Sequence, residues 1–443
     1  MTAASTRAEV LRLAVPAFLT LVAEPLFLLA DAAIVGHLGT AQLAGLGAAS
    51  AALTTAASIF VFLAYGTTAL VSRRLGAKDL AGAIGAGLDG VWLAVILGIA
   101  SATLTGVFAH PICAAFGVSP DATEHAVTYL RVSAIGLPAM LLVLATTGIL
   151  RGLQDTRTPL VASVGAFTAN IVLNVTLVYG FGMGIAGAAW GTVIAQTGMA
   201  AALLTVVIRA ARAHHAPMRF HPGRVLGAAA TGVPLLVRTL ALRAAILATA
   251  WVAARLGDVP IAAYQVAATI WTFLAFALDA LAIAAQALTG RALGAGDVPA
   301  VRDATALMVR WGVLGGVVLG VIVAALSPVL PRLFTSDPAV QAALTLGLIV
   351  VAASTPISGH AFVLDGVLIG ANDGPWLAKA QVIALVGYLP VLALVFLWRD
   401  TLLAHGEPVA LAALWAAFAW FMALRSITLA WRARGDTWLV TGA

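Results

Sequence analysis

At 443 residues, the chain is 62% hydrophobic and only 9% charged, with a formal net charge of +6. Soluble proteins carry roughly 25% charged residues, so an ordinary water-soluble fold is excluded. The basic excess does not mark a nucleic-acid binder, because the charges cluster in short segments between long apolar runs and follow a topological pattern.

About 20 apolar residues cross a hydrocarbon core roughly 30 Å thick as a helix. Lone strands are excluded, because unsatisfied backbone groups in lipid are too costly. Twelve spans are therefore predicted, and the fold class is an all-α integral membrane protein. In the first half the spans lie near 11–36, 43–71, 86–109, 124–150, 159–180 and 186–208. In the second half they lie near 226–254, 261–289, 304–330, 340–368, 377–398 and 409–431. The first span is too long for a cleavable signal peptide and lacks a small-residue cleavage site, so it is expected to stay in the membrane. Cys113 is the only cysteine, which excludes an intramolecular disulfide and paired metal thiolates.

Span 1 carries Glu24 and Asp31, seven residues and two helical turns apart, on one face. Ionisable residues at bilayer depth cost roughly 2.5–3.5 kcal/mol on insertion scales and mark function by default. A carboxyl among apolar groups, tuned by nearby charges, is suited to loading and releasing a proton. Asp31, followed by Ala32-Ala33-Ile34-Val35, lies too deep for an interfacial acid. Pro16 and Pro234 are expected to open spans 1 and 7, with Pro25 breaking span 1 and Pro138 and Pro356 inside spans 4 and 10. Proline removes a backbone donor and clashes one turn back, so bends are expected there, with Pro25 the candidate hinge.

Span 5 adds Asn170 and Asn174, one turn apart, and span 6 adds Thr192 and Gln196 on one face. These amides and hydroxyls either bridge helices or line a wet cavity beside span 1. In span 7, Arg238 and Arg243 are the counter-charges, and Arg243 holds the repeat position of Pro25, so Glu24 and Arg243 are a candidate pair or gate. Asp279 in span 8 and Asp365 in span 10 either pair with these arginines or bind a cation.

One offset, 218 residues, relates Pro16 to Pro234, Pro120 to Pro338 and Pro138 to Pro356, and likewise Arg73 to Arg291, Asp79 to Asp297 and Asp155 to Asp373. The chain is one membrane unit duplicated in tandem, as many secondary transporters are. Six spans per copy put both copies into the bilayer in one orientation, so two six-helix bundles are expected, related by a pseudo-two-fold axis along the membrane normal with a cavity where they meet. The lobes are assigned to 1–208 and 226–443, joined by a linker at 209–225. Its histidines, His214, His215 and His221, belong to a solvated basic linker rather than a metal site.

Sixteen of the 24 basic residues fall in alternate loops and at the two chain ends, against Arg255, Arg332 and Arg399 on the other side. The positive-inside rule then places both termini and the linker in the cytoplasm. No HExxH, Walker loop, paired DxxxD or Gly-Xaa-Ser-Xaa-Gly is present, so no enzyme is indicated and uphill transport must draw on an ion gradient.

The run Gly148-Ile149-Leu150-Arg151-Gly152-Leu153-Gln154-Asp155-Thr156-Arg157-Thr158-Pro159 resembles the loop 4–5 signature of the multidrug and toxic compound extrusion family. Pro25-Leu26 with Asp31-Ala32-Ala33-Ile34-Val35-Gly36-His37-Leu38-Gly39 resembles span 1 of its DinF branch. Gly182-Met183-Gly184-Ile185-Ala186-Gly187-Ala188-Ala189 and Leu293-Gly294-Ala295-Gly296-Asp297 are similar to its 5–6 turn and 8–9 loop. The resemblance covers the whole chain. It implies a V-shaped antiporter in the bacterial plasma membrane that expels amphipathic, often cationic, compounds. By it Asp31 is the proton-binding acid, with Asn170 and Thr192 beside it. Asn174 departs from the pattern, since many relatives carry Asp there and an amide cannot titrate. Asp31 then carries the coupling, together with Glu24. The implied coupling ion is H⁺, with Na⁺ or a lipid or polyprenyl-linked flippase as alternatives. No cofactor is expected; the partners are a small-molecule substrate and the bilayer, and the protein is expected to act as a monomer.

Overall fold

A helix satisfies its backbone hydrogen bonds within one segment, which lipid requires, and the apolar runs fold as helices, two of them (43–71 and 124–150) in two pieces. The computed structural model describes residues 3–442, apart from the side chains of residues 3–6 and of Glu24, Phe27 and Leu29. The first half contains α1 (Ala3–Gly36), α2 (Thr40–Phe60), α3 (Phe62–Gly76), α4 (Leu80–Val107), the short α5 (Ala109–Ala114), α6 (Pro120–Ile135), α7 (Leu137–Gly152), α8 (Arg157–Val175) and α9 (Gly184–Ala213). A π-helical turn, Thr176–Gly180, extends α8. The second half contains α10 (Pro222–Leu256), α11 (Asp258–Gly294), α12 (Val298–Leu326), the short α13 (Leu330–Phe334), α14 (Pro338–Gly370), α15 (Gly374–Leu397), the short α16 (Arg399–Ala404) and α17 (Glu407–Arg434).

Among the described residues, ten of these segments are long and apolar enough to cross a membrane, counting α2 with α3 and α8 with its π turn, and the pair α6 and α7, bent by 50°, makes an eleventh. With α1, 34 residues long, the count reaches the expected twelve. No strand occurs among the described residues.

One proline expectation is corrected. Pro16 and Pro234 do not open their helices, which begin well before them at Ala3 and Pro222. Hydropathy marks where the membrane begins, whereas the helix continues through polar residues such as Glu9, whose carboxylate lies 2.8 Å from Arg291 and 3.7 Å from Arg12. Pro16 and Pro25 lie inside α1, Pro234 inside α10 and Pro356 inside α14, each of which runs on as a continuous helix. Pro138 alone of these accompanies a break, next to Gly136, in the first turn of α7 where its missing N–H forfeits no bond.

The duplication is visible residue by residue. Asp79 and Asp297 cap α4 and α12 with nearly the same backbone (φ −97, ψ 74 and φ −91, ψ 75), accepting from Gly82 N at 2.8 Å and Ala300 N at 3.0 Å. The residues just before them, Lys78 and Gly296, share a positive φ of 63 and 74, and Gln154 and Asn372 one of 64 and 60. Gly98 seats α4 on Pro138, and its mate Gly316 seats α12 on Pro356; a Cβ would lie 2.6 Å from Pro138 Cα and 2.7 Å from Pro356 Cα. Gly148 meets the Ala64 carbonyl of α3 just as Gly366 meets the Ala282 carbonyl of α11. Small residues let membrane helices approach closely where lipid supplies no hydrophobic drive between them.

The chain divides into two compact units, Val15–Val233 and Pro234–Thr441, the latter including the start of α1 up to Ala14. In the C-terminal unit α11, α14 and α17 pack around Tyr264, Trp415, Phe418, Tyr388 and Phe421. In the N-terminal unit the end of α1, through Val35, joins a buried cluster with Leu46, Leu130, Val178 and Ala189.

On α12, Gly312, Gly316 and Gly320 form one stripe against the Gly359, Thr355 and Ala352 carbonyls of α14. Gly316→Leu is expected to destabilise the protein by about 1–3 kcal/mol through overpacking. Gly315→Leu, whose Cβ enters open space, should melt like the parent, and thermal unfolding in detergent checks both.

Candidate functional site

In the N-terminal unit, α1, α8 and α9 converge on Asp31, which is 2% exposed. Asn174 of α8 donates its side-chain N–H to Asp31 Oδ1 at 2.5 Å, and the Thr192 hydroxyl of α9 lies 3.4 Å from Oδ2. Asn170, one turn before Asn174, is fully buried beside both. Its amide has two sensible orientations. In one, Nδ2 donates to Thr192 Oγ1 at 3.1 Å while Oδ1 accepts from Asn174 at 3.1 Å. Turned over, Nδ2 donates to Asp31 Oδ1 at 3.2 Å and Oδ1 accepts from the Thr192 backbone N–H at 3.2 Å. The buried Tyr129 of α6 borders Thr192 from the other side. Among the described residues no basic side chain forms an ion pair with Asp31. Its hydrogen-bond partners are neutral.

Two helical turns of α8 bring Asn170 and Asn174 onto α1, and the π turn adds a third tie. Tyr179 lies five residues past Asn174, which at 3.6 residues per turn an α-helix would rotate about 140° away. The wider turn, closed by Phe181 N bonding to Thr176 O at 2.9 Å, keeps Tyr179 near that face. Its hydroxyl donates to Ile34 O at 2.5 Å. His37 Nδ1 bonds to Ala33 O at 2.6 Å, and since a carbonyl only accepts, Nδ1 carries the proton. These side chains satisfy two of the last carbonyls of α1, which no helical N–H reaches. A surface cleft of about 490 Å³, lined by Ala33, Ile34, His37 and Tyr179, opens beside this end of the helix.

The repeat mates of the Asp31 site lie in the C-terminal unit. Thr249 stands for Asp31 and Tyr388 for Asn170; both are fully buried, with their hydroxyls 2.6 Å apart. Leu392 and Ala410 stand for Asn174 and Thr192. The same helix junction is built twice, and only the first copy holds a group that ionises readily.

A second polar cluster belongs to the C-terminal unit alone. Arg238 of α10 grips Asp365 of α14 with two bonds, Nε to Oδ1 at 2.9 Å and Nη2 to Oδ2. Arg425 of α17 comes within 3.7 Å of Asp365 Oδ2 and sits over the Phe362 ring. All three residues are buried.

The structure thus brings together Asp31, Asn170, Asn174 and Thr192 in one place and Arg238 with Asp365 in another. Gln196 is half-buried beside Gly136, at the α6–α7 break. Arg243 and Asp279 are half-buried in α10 and α11. The Glu24 side chain lies outside the described residues, and with it the expected Glu24–Arg243 pair. Sequence reasoning passed over Arg425, Tyr179 and Asp89, a buried acid in α4 that lies 3.4 Å from Arg224. Asp89 was legible as a charge inside span 3; nothing in the sequence signalled the π turn that places Tyr179.

A family model described as MatE matches residues 16–176 and again 234–398, two matches that start 218 residues apart. Protein DETOXIFICATION 44, chloroplastic, of Arabidopsis thaliana is 31% identical over 96% of this chain and 81% of its own length. DNA damage-inducible protein F of Escherichia coli (strain K12) is 29% identical over 96% of this chain and 92% of its own. Among solved structures, the crystal structure of MATE in the bent conformation superposes with a TM-score of 0.87 at 20% identity, covering 97% of this chain and 95% of that one. An outward-facing structure of a multidrug resistance MATE family transporter superposes with a TM-score of 0.86 at 21% identity, covering 97% and 96%.

Asp365→Asn would leave buried guanidinium charge without its carboxylate, and is expected to destabilise the protein by about 3–5 kcal/mol, read as a lowered melting temperature in detergent. Tyr179→Phe removes one hydroxyl at the mouth of the cleft. It should cost only about 1 kcal/mol of stability, measured the same way, yet raise hydrogen exchange at the amides of the last turn of α1.

Proposed function

The chain belongs to the MatE family, whose members are multidrug and toxic compound efflux transporters rather than enzymes, and from that premise we propose that it is a proton-coupled antiporter exporting amphipathic, cationic compounds. The observation that carries this reading is a buried carboxylate whose hydrogen-bond partners are neutral amides and a hydroxyl. A basic partner would hold it charged throughout a cycle. Neutral donors support both of its forms.

The Asn170 amide supplies the mechanism by which proton load becomes shape. An ionised Asp31 only accepts, so it selects the orientation in which Asn170 donates to it. With a proton on Asp31, the reverse orientation is favoured, because the amide oxygen then stands 3.2 Å from Oδ1 and accepts an O–H bond. That reversal swaps the partners of Thr192 and Asn174 and loosens α1 from α8. In the outward-open state Asp31 takes a proton, α1 bends at Pro25, the cavity closes and the substrate leaves. Inward opening returns the proton to the cytoplasm.

Asn174 sets the stoichiometry. With an amide in place of a second carboxyl, this site moves one proton per cycle. Exchange of a monovalent cation for one proton is then electroneutral, whereas a neutral substrate would also draw on about 2.3 kcal/mol per 100 mV. The distribution of Arg and Lys supports a plasma-membrane protein with both termini and the 209–225 linker in the cytoplasm. Protons are preferred to sodium because the site offers a single carboxylate whose neighbours turn donors toward it, N–H of Asn174 and O–H of Thr192, where a hard cation needs their oxygens. The flippase alternative would want free cationic groups in the cavity, and Arg238 is engaged by Asp365.

Asp31→Asn is expected to leave the protein folded in the membrane and to abolish proton-driven efflux of a cationic dye from reconstituted vesicles. Full efflux by that variant, or efflux driven by a sodium gradient alone in the parent, would refute the assignment. Asn174→Asp is expected to restore a second carboxyl and raise the number of protons exchanged per dye, measured from paired proton and dye fluxes.

A further inference from the structure

The segment between α9 and α10 is strapped onto α4. Ala216, 6% exposed, bonds through its N–H to Ala211 O at 2.9 Å. Pro217 abuts Gly85, where a Cβ would lie 2.7 Å from the proline ring. The Trp92 indole donates to Met218 O at 3.3 Å, and its ring meets Phe220 edge-on at 5.5 Å. Arg224 closes the strap, lying 3.4 Å from the buried Asp89 and donating to Arg219 O at 3.2 Å. Gly85, Asp89 and Trp92 share one face of α4, so a single helix face receives the whole strap.

What the strap presents outward is amphipathic. Met218 is 41% exposed, Phe220 47% and Trp92 37%. In the same stretch of chain Arg209, Arg212 and Arg219 are exposed, and residues 209–226 contain no acid. Topology alone accounts for basic loops, but not for methionine and aromatic rings held in the open among them by specific bonds. A free polyanion would satisfy the arginines and leave the apolar side chains in water.

We propose that this strap is a binding surface for anionic phospholipid, with headgroup phosphates on Arg209, Arg212 and Arg219 and with Met218 and Phe220 in the boundary between headgroups and acyl chains. Aromatic rings settle at that depth, and cationic segments next to membrane spans attract anionic headgroups. Bound lipid holds the strap down on α4.

The test uses the full-length, delipidated protein in detergent, titrated with phosphatidylglycerol or phosphatidylcholine and followed by thermal unfolding and by native mass spectrometry of retained lipid. Phosphatidylglycerol is expected to raise the melting temperature more than phosphatidylcholine. The triple variant R209Q/R212Q/R219Q alters only exposed groups, so it should melt like the parent without lipid. Its apparent affinity for phosphatidylglycerol should fall on the order of a hundredfold, with phosphatidylcholine binding unchanged. Equal stabilisation by the two lipids, a variant within about twofold of the parent, or the same protection from inorganic phosphate alone would each overturn the proposal.

Discussion

A charge inside a membrane protein must be answered by something, and the nature of the answer decides what the charge can do. Asp31 is answered by dipoles, Asp365 by guanidinium groups. Dipoles turn: an amide presents either its nitrogen or its oxygen, so a network of amides and hydroxyls tolerates a proton arriving or leaving. Guanidinium groups always donate, and a carboxyl between two of them is held in place. On the proposed reading the N-terminal unit holds a site that can change, while the ion pairs of the C-terminal unit tie three helices together.

The scaffold that presents these groups is set by close backbone approach. Gly98 on Pro138 and Gly316 on Pro356 dock spans 3 and 4 and spans 9 and 10 in the same way, and Gly148 and Gly366 dock spans 4 and 10 against α3 and α11. The repeated prolines thus have a packing role in both units whether or not the helix breaks there. Their rings offer a flat, donor-free surface on which a glycine can rest, and beside Pro138 the helix is also broken, with a 50° turn.

Much of this was legible in the residues. Twelve apolar runs marked the spans, and the offset of 218 residues reappears in the structure as caps, positive-φ positions and glycine contacts at matching places. Asp31, Asn170, Asn174 and Thr192 were each picked out as polar groups in apolar helices, and hydrogen bonding unites them. Helix starts were misplaced because hydropathy senses lipid while helices run on into polar residues such as Glu9 and Arg224. The partner of Arg238 could not be chosen among several acids, since three-dimensional packing of α10 against α14 makes that choice. Arg425 was overlooked because its span is otherwise unremarkable, and Tyr179 because no residue pattern reveals one extra residue in a helical turn.

The hydroxyl pair of Thr249 and Tyr388 carries a lesson about ancestry. It occupies the place in the second repeat that the acid and its asparagine occupy in the first. An unduplicated ancestor working as a symmetric pair would have had matching chemistry on both sides. Once fused, two halves are free to differ, and here one holds a carboxyl where its twin holds an uncharged hydroxyl pair. On the proposed reading, only one half of the duplicated chain then senses the proton gradient.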